Sequence, residues 1–289
     1  MEHKLEYPVR LMCEVLEVSR SGYYRWSSRS ESRRSREDRR LRVRVRVAFE
    51  QGRGQYGSPR VHRALRQQGV RCSRKRVERL MREQGIESRR RRGFRVRTTR
   101  AVPGRTVAPN RLNRQWSEVE EQDRVWVSDI TYLWTKEGWL YLAAVLDVFS
   151  RRIVGWSTGS RIDQELTLRA LSQALEQRRP TVGLLHHSDQ GGQYSAAAYR
   201  QLLGQHGVEP SMSRTGNCYD NAMMESFFST LKAELDGLGR FTSRQQAHRS
   251  LFDYIERYYN QRRLHSGLGY VSPAQFEKAQ QERKSSRKG

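Results

Sequence analysis

The 289-residue sequence predicts a basic, all-α first part followed by an α/β core. Three observations predict it. Charge is split along the chain: residues 1–115 hold 33 Lys+Arg and 11 Asp+Glu, whereas residues 116–289 hold 22 and 20. Up to Gly85, apolar residues recur at helical spacing between Ser, Pro and Gly stops. From Val125 onward, β-rich apolar runs come first and then alternate with amphipathic segments.

The net charge is +24. Nearly all of it sits in the first part, where Lys4 and Lys75 are the only lysines. Guanidinium forks match phosphate oxygens and guanine edges better than ammonium groups do. A polyanion is therefore the expected partner. Other classes are disfavoured. No apolar run is long enough to span a bilayer, and MEHKLEYPVR has no secretory pattern. Cys13, Cys72 and Cys218 form neither a disulfide framework nor a zinc-type CxxC pair, so reduced thiols are expected. The expected setting is inside the cell, with no membrane partner.

Residues 8–26 read as two short helices, and residues 1–36 as this helical segment plus a linker. Pro8 suits a first helical position, with Leu11, Val15 and Leu16 on an apolar face. Ser19 caps the second helix, which carries Tyr23, Tyr24 and Trp26. The polar stretch SSRSESRRSRED is expected to be the linker. Residues 37–87 read as a helix-turn-helix domain. LRVRVRV alternates like a strand, yet Leu41, Val45 and Phe49 fit helical spacing, and a helix is favoured. Ser58 is expected to cap a helix that opens on Pro59, carries Val61, Ala64 and Leu65, and stops at Gly69. Ser73 caps another, with Val77, Leu80 and Met81 buried, that stops at Gly85. This last helix opens with Arg74, Lys75 and Arg76, which become candidate DNA contacts. Residues 88–115, with their arginine run, are expected to be a basic linker.

The core, residues 116–279, begins with VWVSDITYLW, GWLYLAAVLDVF and RIVGWSTG, a predicted antiparallel meander. Then come a helix (DQELTLRALSQALEQ), a strand (TVGLLHH), a helix (AAAYRQLLGQHG), a strand (VEPSMS), the polar loop RTGNCYD and a long helix (NAMMESFFSTLKAEL). That element order is RNase H-like, with a mixed five-stranded sheet. An aromatic-rich helix over 243–260 follows, and residues 280–289 are expected to be a basic tail.

Three carboxylates stand out. Asp129 interrupts an apolar strand, where a charge is costly unless it is paired or binds metal. Asp189 follows directly on the strand TVGLLHH, and Gly191-Gly192 let the chain turn after it. Glu225 flanks the buried stripe of the long helix (Met224, Phe227, Phe228, Leu231, Leu235). Lys232, seven residues on, projects from the same side. Glu234 and Asp220 fall on roughly the opposite side, and Asp220 reads better as the helix cap. Oxygen ligands from three elements suit Mg²⁺ or Mn²⁺. Two such ions about 4 Å apart can activate an attacking oxygen and stabilise a leaving one.

Fifty-nine residues separate Asp129 from Asp189, and thirty-five separate Asp189 from Glu225. With VWVSDITYL, LDVFSRRIVGW, HHSDQGGQY, SMSRTGNCYDNAMMESFFSTLKAEL and YYNQRRLHSGLGYVSPAQFE, this spacing resembles the DDE transposase and retroviral integrase superfamily. It most resembles the OrfB-type insertion-sequence transposases encoded by two overlapping frames. EVSRSGYYRW and QYGSPRVHRALRQQGVRCSRKRVERLM extend the likeness over nearly the whole chain. The resemblance implies a retroviral-integrase-like catalytic core in which Asp129, Asp189 and Glu225 hold the ions. It implies that Lys232 is the basic residue seven positions after the family's Glu, and that Arg214 joins the DNA-contact set. Asp147 is usual in such relatives and is expected to be structural or a neighbour of the site. The implied activity is cleavage at element ends, exposing a 3′-OH that attacks another phosphodiester. The implied partners are the terminal repeats, target DNA, further copies of the chain on DNA, and an upstream-frame product or fusion. Structural zinc is not implied, because the two-His, two-Cys domain of the retroviral relatives is absent. Two alternatives are a regulator that binds without cutting, which a broken triad would mark, and an RNase H-like nuclease, which leaves the basic part unexplained.

Overall fold

The computed structural model describes residues 6–28, 30–88, 108–113, 115–214, 221–235 and 241–286. The chain forms two compact units. One comprises Met1–Gln51 with Gly57–Glu87, and the other Gly52–Tyr56 with Ser88–Gly289.

The first unit is helical: α1 (Val9–Val15), α2 (Arg20–Ser27), α3 (Arg33–Gln51), α4 (Ser58–Gln67) and α5 (Arg74–Glu83). Ser19 caps α2 by accepting the Gly22 amide at 3.0 Å, and Ser73 caps α5 by accepting that of Arg76 at 3.2 Å. Leu41, Val45, Val61, Leu65, Val77, Leu80 and Met81 are buried, so α3 packs on the α4–α5 hairpin. Helical spacing prevails over the alternation in LRVRVRV because it buries Leu41 and Val45 together.

Several local expectations need correction. The cap of α4 is Gly57, with no side-chain bond, and Pro8 is a cap rather than the first residue of α1. The expected linker turns helical at Arg33, where Arg33–Glu37 adds an (i, i+4) ion pair. Leu11, Val15 and Leu16 stay exposed, and Cys13 is the buried residue of α1.

In the second unit, β1 (Val125–Thr135), β2 (Gly138–Asp147) and β3 (Ile153–Gly159) form the expected antiparallel meander. β4 (Leu185–Ser188) and β5 (Glu209–Met212) add in parallel, giving a mixed sheet of order β3-β2-β1-β4-β5. This is the predicted RNase H-like architecture. Strand alternation splits the core into two layers. Trp126, Ile130, Ala143 and Val145 pack with α6 (Gln164–Arg178) and α7 (Ala197–Gln205). Val127, Leu133, Leu142 and Leu146 pack with α8 (Ala222–Leu235) and α9 (Arg244–Phe252). Gly155 lets α6 approach the sheet closely, since a Cβ there would lie 2.2 Å from the Ala170 carbonyl.

The predicted helix over 243–260 is two pieces, α9 and a π-helical turn, Asp253–Tyr259. Its extra residue per turn sends Tyr254, Ile255, Tyr258 and Tyr259 all into the core. A last helix, α10 (Pro273–Ser286), lies partly where a tail is expected. Ser272 and Gln275 form a reciprocal capping box: Ser272 Oγ accepts the Gln275 amide at 3.2 Å, and Gln275 Oε1 accepts that of Ser272 at 3.0 Å. Glu277 then anchors α10 by accepting from Arg152 at 2.7 Å and Arg178 at 3.1 Å. Among the described residues, no helix is long and apolar enough to cross a membrane.

Candidate active site

Asp129 lies midway along β1, opposite Ala144 of β2. Alternation puts it on the face of Val127 and Leu133, the face α8 covers. Its Oδ1 accepts the Ile130 amide at 2.7 Å. Burial pushes the Asp129 carboxyl well above the ordinary carboxylate range, and the negative charges of Asp189 and Glu225 push it further. The Ile130 amide and the Lys232 charge oppose the rise.

Asp189 is the first residue past β4. Because β4 runs parallel to β1 with Val127 opposite His187, the strand end carries Asp189 alongside Asp129. Asp189 Oδ1 accepts the Gly191 amide at 2.9 Å. A Cβ at position 191 would fall 2.8 Å from that oxygen, so a side chain there would displace the Asp189 carboxylate.

Glu225 occupies the first turn of α8, beside the stripe of Met224, Phe227, Phe228, Leu231 and Leu235 that enters the core. Loss of hydration against the sheet raises its carboxyl. Lys232 stands two turns further along, its Nζ 4.6 Å from the centroid of the Tyr132 ring. Three separate elements thus bring carboxylates into one electrostatic neighbourhood with one lysine. Among the described residues, no three His, Cys, Asp or Glu close into a ready-made ion-holding group.

Behind the carboxylates lies a buried polar layer that the sequence reading missed. His186 Nε2 is 2.8 Å from Ser128 Oγ and 3.1 Å from Tyr199 Oη. Burial drives the His186 imidazole down to about 3, helped by neighbouring His187, so it stays neutral. Ser128 and His186 lie close to Asp129 and Asp189 on their respective strands and pin β1 to β4. Asn221 Nδ2 donates to the Ser128 carbonyl at 3.3 Å, tying the start of α8 to β1. Tyr194, in HHSDQGGQY, is also buried, and its phenol is raised by burial and by the charges of Asp189 and Asp129. The available signal was the run of polar residues within otherwise apolar strands.

The other expected site residues divide. Arg74 and Lys75 are exposed on the first turn of α5. Arg76 is held inside its own unit, with Nε donating to Asp38 at 2.6 Å, so its fork is committed to an ion pair rather than presented to solvent. Arg214 is exposed, and its guanidinium donates to Asn113 Oδ1 at 3.2 Å. Asp147 is structural. It accepts from the Ser150 amide and hydroxyl at 2.7 Å each and from the Asp123 amide at 2.8 Å, closing the β2–β3 turn. Glu234 accepts from Arg263 at 2.7 Å and Tyr254 at 2.9 Å in the core, which removes it from the site. Asp220, expected as a cap, and Cys218 lie outside the described residues.

Comparison with known proteins bears on this arrangement. Residues 119–218 match an integrase core domain family, 206–273 a second integrase core domain family, and 35–94 an HTH-like domain. A 31 kDa protein of insertion element IS600 from Shigella sonnei is 45% identical over 92% of this chain and 97% of its own length. The transposase of insertion sequence element IS904 from Lactococcus lactis is 42% identical over 82% and 93%. Transposase InsF of insertion sequence IS3A from Escherichia coli K12 is 40% identical over 96% of both chains. Among solved structures, a simian T-cell lymphotropic virus intasome chain aligns with TM-score 0.45 at 13% identity, covering 71% of this chain and 67% of its own. The HTLV-2 integrase catalytic core domain, solved with magnesium, aligns with TM-score 0.41 at 16% identity, covering 55% and 98%. An integrase core that follows an HTH-like domain, with relatives of this identity along almost their full lengths, places the chain in the family of insertion-sequence transposases.

Proposed function

We propose that the chain cuts the ends of its element and joins them to target DNA, with Asp129, Asp189 and Glu225 as its metal-holding carboxylates. One observation carries the reading: Asp129, fixed in the sheet, feels the charge of both Asp189 and Glu225, which arrive on two other elements. The donor set fits Mg²⁺ or Mn²⁺, because it is all oxygen and its carboxylates repel one another until a cation joins them. When bound, two such ions would supply a polarised phosphate and an activated attacking oxygen.

The chain's own residues do the rest. Asp129 is held by β1 and its Ile130 amide, so one carboxyl is immobile while the others close on it. Gly191 aims Asp189 through the bond to its Oδ1. Lys232 supplies positive charge on the same side of α8 as Glu225 and is suited to steady the DNA backbone. Arg74, Lys75 and Arg214 are exposed and suited to phosphates; Arg76 buttresses α5. The first part, through residue 115, supplies most of the affinity and a steep salt dependence, since it holds 33 of the 55 basic residues. Joining two ends to one target requires both ends to be held at once, which a homo-oligomer on DNA provides. An upstream-frame product is a further candidate partner.

The test is end cleavage and joining by the full chain in Mg²⁺, with Asp189→Ala and Glu225→Gln each assayed for DNA affinity alongside. Both variants should bind DNA as the parent does and lose both reactions. Full activity in either removes that residue from the metal-holding set.

A further inference from the structure

The β1–β2 hairpin carries an aromatic surface that the carboxylate site does not use. Register pairs Tyr132 with Tyr141 and Trp134 with Trp139, so all four rings lie on one face. They touch in sequence. Trp134 meets Trp139 edge-on at 4.7 Å between centroids, Trp139 meets Tyr132 at 4.7 Å, and Tyr132 meets Tyr141 at 6.4 Å. The outer two are open to solvent: Trp134 is 52% exposed and Trp139 42%. The inner end is closed by Lys232, whose ammonium sits over the Tyr132 ring and whose charge reaches Asp129. Arg244 lies against the same hairpin, its Nε donating to the Trp139 carbonyl at 3.0 Å. Glu137, at the tip, accepts the Arg244 amide at 2.9 Å.

We infer that this face stacks unpaired nucleobases of the DNA end engaged by the carboxylate site. The inference rests on the function proposed above for the location of that end. A cross-strand tryptophan pair stabilises a hairpin through ring contact alone. It does not require half-bare indoles, nor an inner ring capped by the lysine that faces the carboxylates. An exposed π-surface bordered by cations offers what single-stranded nucleic acid binds: stacking for bases and positive charge for phosphates. A phosphopeptide or lipid headgroup would use the cations and leave the indoles idle. Tyr132 and Trp134 lie three and five residues beyond Asp129, about 10 and 17 Å along the strand and on its other face, and Lys232 on α8 links the two sides through the Tyr132 ring.

The experiment uses the full-length chain in EDTA, so that no chemistry intervenes. Its affinity is measured for a duplex with a five-thymidine overhang and for the same duplex with that overhang abasic. The two carry equal phosphate charge and differ only in bases. The parent should prefer thymidine at least about fivefold, the lower end of one base stack. Trp134→Ala with Trp139→Ala should abolish the preference, and Trp134→Phe with Trp139→Phe should keep most of it. Affinity for a blunt duplex should not change in either variant. No preference in the parent, which needs no variant to fold, overturns the proposal. So does a preference that survives the double alanine change. If the assignment of the carboxylates fails instead, the thymidine preference persists while Asp189→Ala remains fully active.

Discussion

Each unit of the chain sets an aspartate among apolar neighbours, the buried Asp38 in the helical unit and the half-buried Asp129 in the core, and the two are treated in opposite ways. In the helical unit, Asp38 is 6% exposed. Burial pushes its carboxyl up, but the hydrogen bonds and charges of Arg79 and Arg76 outweigh that and hold it below the ordinary range. Arg76 and Arg79 each donate to it at 2.6 Å. In the core, Asp129 receives the Ile130 amide and the charge of Lys232, and two further carboxylates oppose it. A carboxylate that holds helices together brings its own counter-ions. The one proposed to serve chemistry is left short of positive charge, a shortage that suits a cation.

The sharpest way to break this contrast is Asp129→Asn. It should lower strand transfer by more than about a thousandfold, roughly 4 kcal/mol in barrier, while raising stability by about 1 kcal/mol because an opposed charge is removed. Transfer assays and urea unfolding on the same preparation check both. A loss of stability would place Asp129 with Asp38.

A second test concerns His186, which the core buries neutral. Its folded value of about 3 lies below the ordinary 6.5, so the unfolded chain takes up a proton first as pH falls. Its contribution to stability is therefore complete above about pH 6.5 and is lost as pH falls toward 3. The loss is up to about 1.4 kcal/mol per pH unit. His186→Gln should flatten that part of the stability–pH curve. An unchanged slope would show that the layer behind the carboxylates does not depend on a neutral imidazole.

Lys232→Ala should lower joining by more than about tenfold, or 1.4 kcal/mol, and Lys232→Arg should retain part of the activity. Unchanged rates at saturating DNA would make the lysine a bystander. The smallest effect is expected at Asp38→Asn, a loss of about 1 kcal/mol, since both arginine partners are partly in water. It should leave the transfer rate of the folded protein intact.

The parts legible in the sequence were those governed by short-range pattern. The meander reads from apolar runs separated by Lys136-Glu137-Gly138 and Ser150-Arg151. The caps at Ser19 and Ser73 follow from residue type and position. Asp129, Asp189 and Glu225 are each visible locally, as a charge in an apolar strand, a strand end and a helix edge, but it is their spacing and flanking motifs, resembling the DDE family, that join them into one set. Partnership was not legible. Nothing in RKRVERLM says that Arg76 reaches back to Asp38, 38 residues away, rather than out to a phosphate. The π-helical turn has no one-residue signature, because its register is set by where Tyr254, Tyr258 and Tyr259 find space in the core. α10 is legible in Ser272-Pro273-Ala274-Gln275, a capping box followed by a good helical stretch that outweighs the charge of the terminus.

The strand order β3-β2-β1-β4-β5 also has a kinetic meaning. β1, β2 and β3 are joined by tight turns, so their pairing closes short loops. β1 and β4 pair residues 60 positions apart, Val125 with Leu185. Loop-closure entropy makes the second event the later one. Asp129 is therefore in place before Asp189, and the repulsion between them arises only as the last parallel strands dock. During synthesis the residues of the meander emerge before the segment bearing Asp189. The electrostatic opposition between the two aspartates is thus tied to the non-local pairing, the slower of the two closures.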